Sequence, residues 1–114
     1  MSDSTDCIFC KIVAGKIPSD QVYSDDKVVV FKDISPKAPV HLLIIPREHI
    51  ESLQELQEHH QDLMGHMMLL LPKLAKEQGL DGGFRTVINT GSDGGQVVYH
   101  LHIHLLGGKR YSDL

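Results

Sequence analysis

Residues 99–108 run YHLHIHLLGG, with histidine at 100, 102 and 104 and apolar residues between them. Period two is the period of a β-strand. His100, His102 and His104 are therefore expected on one face, and Tyr99, Leu101, Ile103 and Leu105 on the other. The apolar face would cover a core, which leaves the imidazoles to solvent, a ligand or a metal. Two chemistries use such a row: a metal site, and a phosphate-handling site in which one imidazole attacks phosphorus.

Working outward from this strand, the chain supplies its neighbours. QVYSDDKVVVFKD reads as two strands joined by a tight turn at Asp25 and Asp26, and VHLLIIP as a third strand closed by Pro46. FRTVINT reads as a fourth, and VVYHLHIHLLGG as a fifth that ends at Gly107 and Gly108. Between them, Ser52 to Gln78 carries a helical pattern with Leu63, Met67, Leu70 and Leu74 on one stripe and Met64, Met68 and Leu71 beside it. Pro72 is expected to kink or split this helix, and Gly79 to end it. IFCKIVAGKIP reads as a short N-terminal helix stopped by Gly15 and Pro18. Strands joined by short turns, with one long helix inserted late, describe an α+β fold: an antiparallel sheet of about five strands, one long helix and a short N-terminal helix.

A chain of 114 residues, 41% apolar and 23% charged, fits one domain spanning 1–114. Its net charge of -4 and lack of a Lys/Arg cluster argue against a nucleic-acid partner, whose phosphates require a basic surface. The longest apolar run, Met67 to Pro72, is far too short to span a membrane, and the acidic start MSDSTDC is unlike an export signal. A cytoplasmic protein with no membrane partner is expected. The wide stripe on the long helix exceeds what one sheet face needs, which suggests a homodimer contact; a helix sunk in its own core is the alternative.

Several residues near the histidine row can carry chemistry. The adjacent Gly94 and Gly95 of GSDGGQ would let backbone N–H groups approach phosphate oxygens, although glycine pairs also simply make turns. A neutral imidazole can attack phosphorus while a neighbouring one stabilises the phosphoryl oxygens, with no catalytic metal or organic cofactor required. His41 alternates with Leu43 and Ile45 and occupies an inward strand position, as a buried structural histidine or a catalytic helper. Asp33, taken alone, is a turn or cap residue. Cys7 and Cys10 form a C-x-x-C pair whose thiolates, with His49 and His100, could complete a tetrahedral zinc site. A redox pair and inert thiols are the alternatives. His59, His60 and His66 are expected to be solvated or at an interface.

HLHIHLL resembles the signature of the histidine triad family, His-φ-His-φ-His-φ-φ with φ apolar. FKDISPKAPVHLLIIPREHI, RTVINTGSDGGQ and the N-terminal CIFCKIVAGKIPSDQVYSDD extend the likeness to the branch of histidine triad nucleotide-binding proteins. The resemblance implies a purine nucleoside phosphoramidase that hydrolyses adenosine 5'-phosphoramidate-type substrates to AMP and an amine. It implies His102 as the transiently adenylylated nucleophile and His104 at the α-phosphate, with His41 and His100 completing the cluster. Asp33 and Ile34 would hold the ribose and flank the base, with Asn89, Gly95, Gln96 and Val97 at ribose and phosphate. Val97 departs from the serine that relatives often carry there. The same resemblance implies a structural zinc on Cys7, Cys10, His49 and His100. A dinucleoside polyphosphate hydrolase, or a nucleotide-binding scaffold with vestigial hydrolysis, are the rival expectations.

Overall fold

The computed structural model describes residues 6–112. The first five residues of the acidic start and the last two of the KRYSDL tail lie outside the described residues. Helix α1 (Ile8–Val13) is followed by β1 (Gln21–Ser24), β2 (Val28–Lys32) and β3 (Val40–Pro46). Helix α2 (Gln61–Glu77), β4 (Arg85–Val87) and β5 (Ile103–Gly107) complete the order. The five strands form the one antiparallel sheet that the sequence pattern predicts, in the order β1-β2-β3-β5-β4.

The two strands at the heart of the sheet are apolar without alternation. Val28 to Phe31 are all buried, and so is every residue from His41 to Pro46. Such runs require cover on both faces. On one face Val28, Val30, Leu42, Ile44, Ile103 and Leu105 pack against Met67, Leu70, Leu71 and Leu74 of α2. On the other, Val29, Phe31, Leu43 and Ile45 meet Cys7, Phe9 and Ile12 at α1. The β3–β5 register sets His41 opposite Leu106 and Leu43 opposite His104, so His41 and His104 belong to this second face. The histidine side of the sheet, expected to be open, is thus largely roofed by α1.

β5 begins only at Ile103, so of the three histidines in the opening run only His104 lies in a strand. Residues 97–102 leave the sheet because their bonds go elsewhere: Leu101 N–H donates to the Ile50 carbonyl at 2.6 Å rather than to a strand neighbour. Tyr99, expected on the core face, is exposed as a result. The fourth strand contracts to Arg85–Val87, the part that pairs with His104 to Leu106.

The helical pattern from 52 to 78 resolves into two 3₁₀ turns, Leu53–Glu55 and Glu58–His60, before α2 starts. Ser52 Oγ accepts the Gln54 N–H, which caps the first turn. Pro72 does not split α2. The carbonyl deprived of its partner is that of Met68, an exposed position where water can replace the missing donor. Both helices end alike, with glycine at positive φ: Gly15 at 74° and Gly79 at 76°. At each, the glycine N–H and the next N–H reach back to helix carbonyls, from Gly15 and Lys16 to Ile12 and Lys11, and from Gly79 and Leu80 to Lys76 and Ala75.

Two helix-proximal histidines expected at the surface are tied into the fold. His60 is buried, accepts the Gln57 N–H at Nδ1 and places Nε2 3.1 Å from Glu48 Oε2. His66 Nε2 lies 2.7 Å from Asp25 Oδ2 and joins α2 to the β1–β2 turn. Burial would raise the Asp25 pKa. The N–H of Lys27, the Tyr23 hydroxyl, His66 and the N–H of Val28 outweigh it and hold the carboxyl well below its usual range. Among the described residues no helix is long and apolar enough to cross a membrane.

Candidate functional site

A cavity of about 510 Å³ opens on the α1 side of the sheet. Phe9, Ile12, Ile17, Phe31 and Leu43 give it an apolar floor, and His102, His104, Asp33 and Asn89 bring polar groups to it. Apolar walls with a few convergent polar groups suit a ring-bearing ligand with a charged end. A larger depression, about 870 Å³, is walled by residues 79–85 and 108–111 and holds none of these histidines. The chemistry belongs to the smaller one.

Backbone groups decide which nitrogen of each imidazole carries a proton. The Lys37 N–H donates to His41 Nδ1 at 3.0 Å, so a neutral His41 keeps its hydrogen on Nε2. That Nε2 lies 2.9 Å from His104 Nδ1 and 3.4 Å from Asp33 Oδ2. His104 Nδ1 then accepts, which leaves Nε2–H as the free donor of His104. The His100 carbonyl, which can only accept, lies 2.7 Å from His102 Nδ1. His102 therefore donates from Nδ1 and presents a lone pair at Nε2. One imidazole is set as a nucleophile and its neighbour as a donor, with ring centroids 4.9 Å apart.

Desolvation keeps these rings neutral. Burial lowers the His102 pKa, against the opposing pull of the His100 carbonyl and Asp33. Burial, then His102 and His41, push His104 down to about 4. His41 is also lowered by burial even though the Asp33 carboxylate stands 3.4 Å away, so its Nε2–H goes to His104 and Asp33 acts on the ring as a nearby negative charge.

Behind this row lies a second cluster. The Sγ atoms of Cys7 and Cys10 and ligand nitrogens of His49 and His100 all lie within 4.8 Å of one another. His100 Nδ1 is 3.3 Å from Cys7 Sγ, and His49 Nδ1 is 3.1 Å from Cys10 Sγ. His100 Nε2–H donates to the Pro46 carbonyl at 2.8 Å, which leaves Nδ1 as a lone pair aimed at the sulfurs. Cys7 caps α1, and the Cys10 N–H donates to its Sγ at 3.2 Å, an arrangement suited to a sulfur that carries negative charge. This donor set fits a tetrahedral divalent ion of the zinc type. Burial, then the hydrogen bond and charge of Cys7, push the Cys10 thiol up to about 12. A third group, Glu48, His59 and His60, fits a metal less well, because His60 Nε2 carries the hydrogen.

The family described as scavenger mRNA decapping enzyme C-term binding matches residues 6–114. Protein HitA of Neisseria gonorrhoeae is 56% identical over 101 residues, 89% of this chain and 94% of that protein. The chain belongs to the histidine triad family.

Other relatives agree. The 14 kDa zinc-binding protein of Brassica juncea is 49% identical over 107 residues, 92% of this chain and 95% of that protein. A histidine triad protein from Clostridium difficile superposes with TM-score 0.93 at 47% identity, covering 100% of this chain and 99% of that one. A HIT family hydrolase from Legionella pneumophila gives 0.92 at 44%, covering 94% and 96%. The histidine triad nucleotide-binding protein of Candida albicans gives 0.80 at 33%, covering 96% and 85%.

In this histidine triad protein the residues expected at the nucleotide part into two groups. Asp33, Ile34, Asn89, Gly95, Val97, His102 and His104 line the cavity; Gln96 does not. Ile34 and Val97 stand at its mouth, 95% and 86% exposed. Asn89 Nδ2 donates to the Gly94 carbonyl at 2.8 Å and Asp33 Oδ1 accepts the Ser35 N–H, so both also brace the loops they sit on. His41 sits one layer behind His104. The His100 side chain joins the cysteines, while its carbonyl orients His102. The glycine pair is corrected: the N–H groups of Gly94, Gly95 and Gln96 donate to Gly91, Ser92 and Gly91 carbonyls, inside the turn itself. Glycine is demanded by that turn, since a Cβ at Gly94 would lie 2.3 Å from the Thr90 carbonyl oxygen and Gly95 has φ +82°. The apolar floor and the Lys37 N–H were missed by sequence reasoning. Period in IFCKIV hinted at the floor, but nothing signalled the amide.

Proposed function

We propose that this histidine triad protein is a purine nucleoside phosphoramidase working through a nucleotidyl-histidine intermediate on His102. The observation that carries the proposal is the lone pair at His102 Nε2, fixed by the donation from Nδ1 to the His100 carbonyl at 2.7 Å. The base would lie on the apolar floor and the ribose near Asp33. The phosphate would sit between His102 and the Nε2–H of His104. His102 Nε2 forms the bond to phosphorus as the P–N bond breaks, and the amine leaves with one added proton. Water then attacks phosphorus, and the Nε2–P bond breaks and returns the lone pair to His102. AMP leaves as water gives up the proton that offsets the one taken by the amine.

Intact mass after mixing with a slowly hydrolysed adenosine phosphoramidate tests this reading. An AMP adduct is expected on the wild type and none on His102→Ala. Equal AMP release by both proteins would remove His102 from the mechanism, and tight AMP binding without turnover would favour the scaffold reading.

We assign a structural zinc to Cys7, Cys10, His49 and His100, supported by the donor set and by the named zinc-binding relative. When bound it supplies cross-linking of α1 to the 46–49 and 100 segments and takes no part in bond breaking. Elemental analysis finding less than about a tenth of a zinc per chain would sink this assignment. A homodimer accounts for Met68 and Leu69, 48% and 76% exposed on α2. A purely monomeric mass by light scattering at micromolar protein would defeat it.

A further inference from the structure

The segment that carries His102 has left the sheet, so something else must fix its path. Three main-chain carbonyls between Pro46 and Glu51 do so. Pro46 accepts His100 Nε2–H at 2.8 Å, Ile50 accepts the Leu101 N–H at 2.6 Å, and Glu51 accepts Gln96 Nε2–H at 2.6 Å. Gln96 then extends the clamp in two further directions. Its Nε2 also donates to the Val98 carbonyl at 3.0 Å, and its Oε1 accepts the Gly91 N–H at 2.9 Å.

This buried amide is a junction of three backbone segments: the glycine turn, residues 46–51 and the histidine segment. Both its donor hydrogens are used, and an Oε1 acceptor site is filled. Its orientation is forced, because a flipped amide would set oxygen against two carbonyls and NH₂ against an N–H. The residues on either side of it in sequence, Gly95 and Val97, line the cavity, while Gln96 lines no part of it.

We propose that Gln96 is a positioning residue for the reaction: it never touches substrate, but sets where residues 97–102 run and so where His102 Nε2 points. The proposal rests on His102 being the nucleophile. Its force comes from a short covalent path. The carbonyl that selects the His102 tautomer belongs to His100, two residues beyond the Val98 carbonyl that Gln96 holds. A displacement of about 1 Å in a catalytic group costs on the order of 10²-fold in rate.

Gln96→Glu keeps the shape and the acceptor for Gly91, but turns a carboxylate oxygen toward the Glu51 and Val98 carbonyls. Gln96→Met keeps the volume and none of the bonds. For each, kcat and KM on adenosine 5'-phosphoramidate are measured, together with the His102 protonation pattern from histidine ¹⁵N NMR. The expected result is a fall in kcat of about 10- to 100-fold with KM within about threefold, and a His102 spectrum no longer purely Nδ1-protonated. A kcat within about twofold of wild type, or an unchanged His102 spectrum, overturns the positioning role even if thermal stability has fallen. Should Gln96→Met fail to fold, Gln96→Glu carries the test by the same readouts. The wild-type adduct separates the two claims. If no AMP adduct forms on wild-type His102, the functional proposal fails and takes this one with it. If the adduct forms and the Gln96 variants keep kcat, only the role of Gln96 is lost.

Discussion

The two faces of the sheet are built from the same strands, offset by one residue, and they differ in what burial demands of each side chain. On the α2 face Val28, Val30, Leu42, Ile44, Ile103 and Leu105 need only volume and contact. On the α1 face Val29, Phe31, Leu43 and Ile45 share space with His41, His102 and His104, and each ring there has a specified partner. Apolar packing tolerates exchange of similar shapes, whereas a buried imidazole without its partner is costly. One face therefore determines stability, and the other spends part of its burial on holding nitrogen lone pairs in place.

Substitutions on opposite faces should separate these roles. The largest effect is expected from His102→Ala: AMP release from adenosine 5'-phosphoramidate falls by at least about 10³-fold, while the unfolding midpoint moves little. On the α2 face Leu42→Ala should do the reverse, costing about 2–5 kcal/mol in urea unfolding with kcat within a few-fold of wild type. If Leu42→Ala lost activity as steeply as His102→Ala in still-folded protein, the division of labour between the faces would be wrong.

Within the α1 side the metal cluster can be broken independently of the reacting pair. Cys10→Ser is expected to drop bound zinc below about a tenth per chain and to lower the unfolding midpoint, because metal binding and folding are linked. Turnover measured below that new midpoint should fall less than in His102→Ala, since no cysteine lines the cavity. Unchanged zinc content in Cys10→Ser would remove that thiol from the ligand set.

The contrast between the faces also explains what could be read from the sequence. VVVFK and VHLLIIP announce central strands because β-branched and apolar residues run without interruption, and the antiparallel pairing of β1, β2 and β3 follows from their short connections. Helix ends at Gly15 and Gly79 are legible for the same local reason. The alternation of His100, His102 and His104 was a good sign of a shared site and a poor guide to geometry, since two of the three precede β5. Their arrangement depends on the carbonyls of Pro46, Ile50, Glu51 and His100 and on the Lys37 N–H, main-chain groups that every residue type except proline possesses in full. No residue identity advertises such a partner. The resemblance implies Gln96 as a ligand contact through the 95–97 segment, and only its three bonds reveal a structural junction.

The smallest predicted effect concerns acid, and it again sets one face against the other. His104 titrates at about 4 in the folded chain, down from 6.5, chiefly through burial. The unfolded chain takes up this proton as pH falls below about 6.5, and the folded chain resists it until about pH 4. The stability contributed by neutral His104 is therefore complete above 6.5 and lost progressively between 6.5 and 4. One such group changes unfolding free energy by at most about 1.4 kcal/mol per pH unit. In urea unfolding at pH 7, 6 and 5, the wild type should lose stability faster than His104→Gln, so that the gap between them narrows with acidification. Leu42→Ala, which removes no titrating group, should run parallel to the wild type over the same range. A gap to His104→Gln that stays constant from pH 7 to 5 would mean that His104 is not held neutral by burial, and the distinction between the faces would lose its electrostatic half.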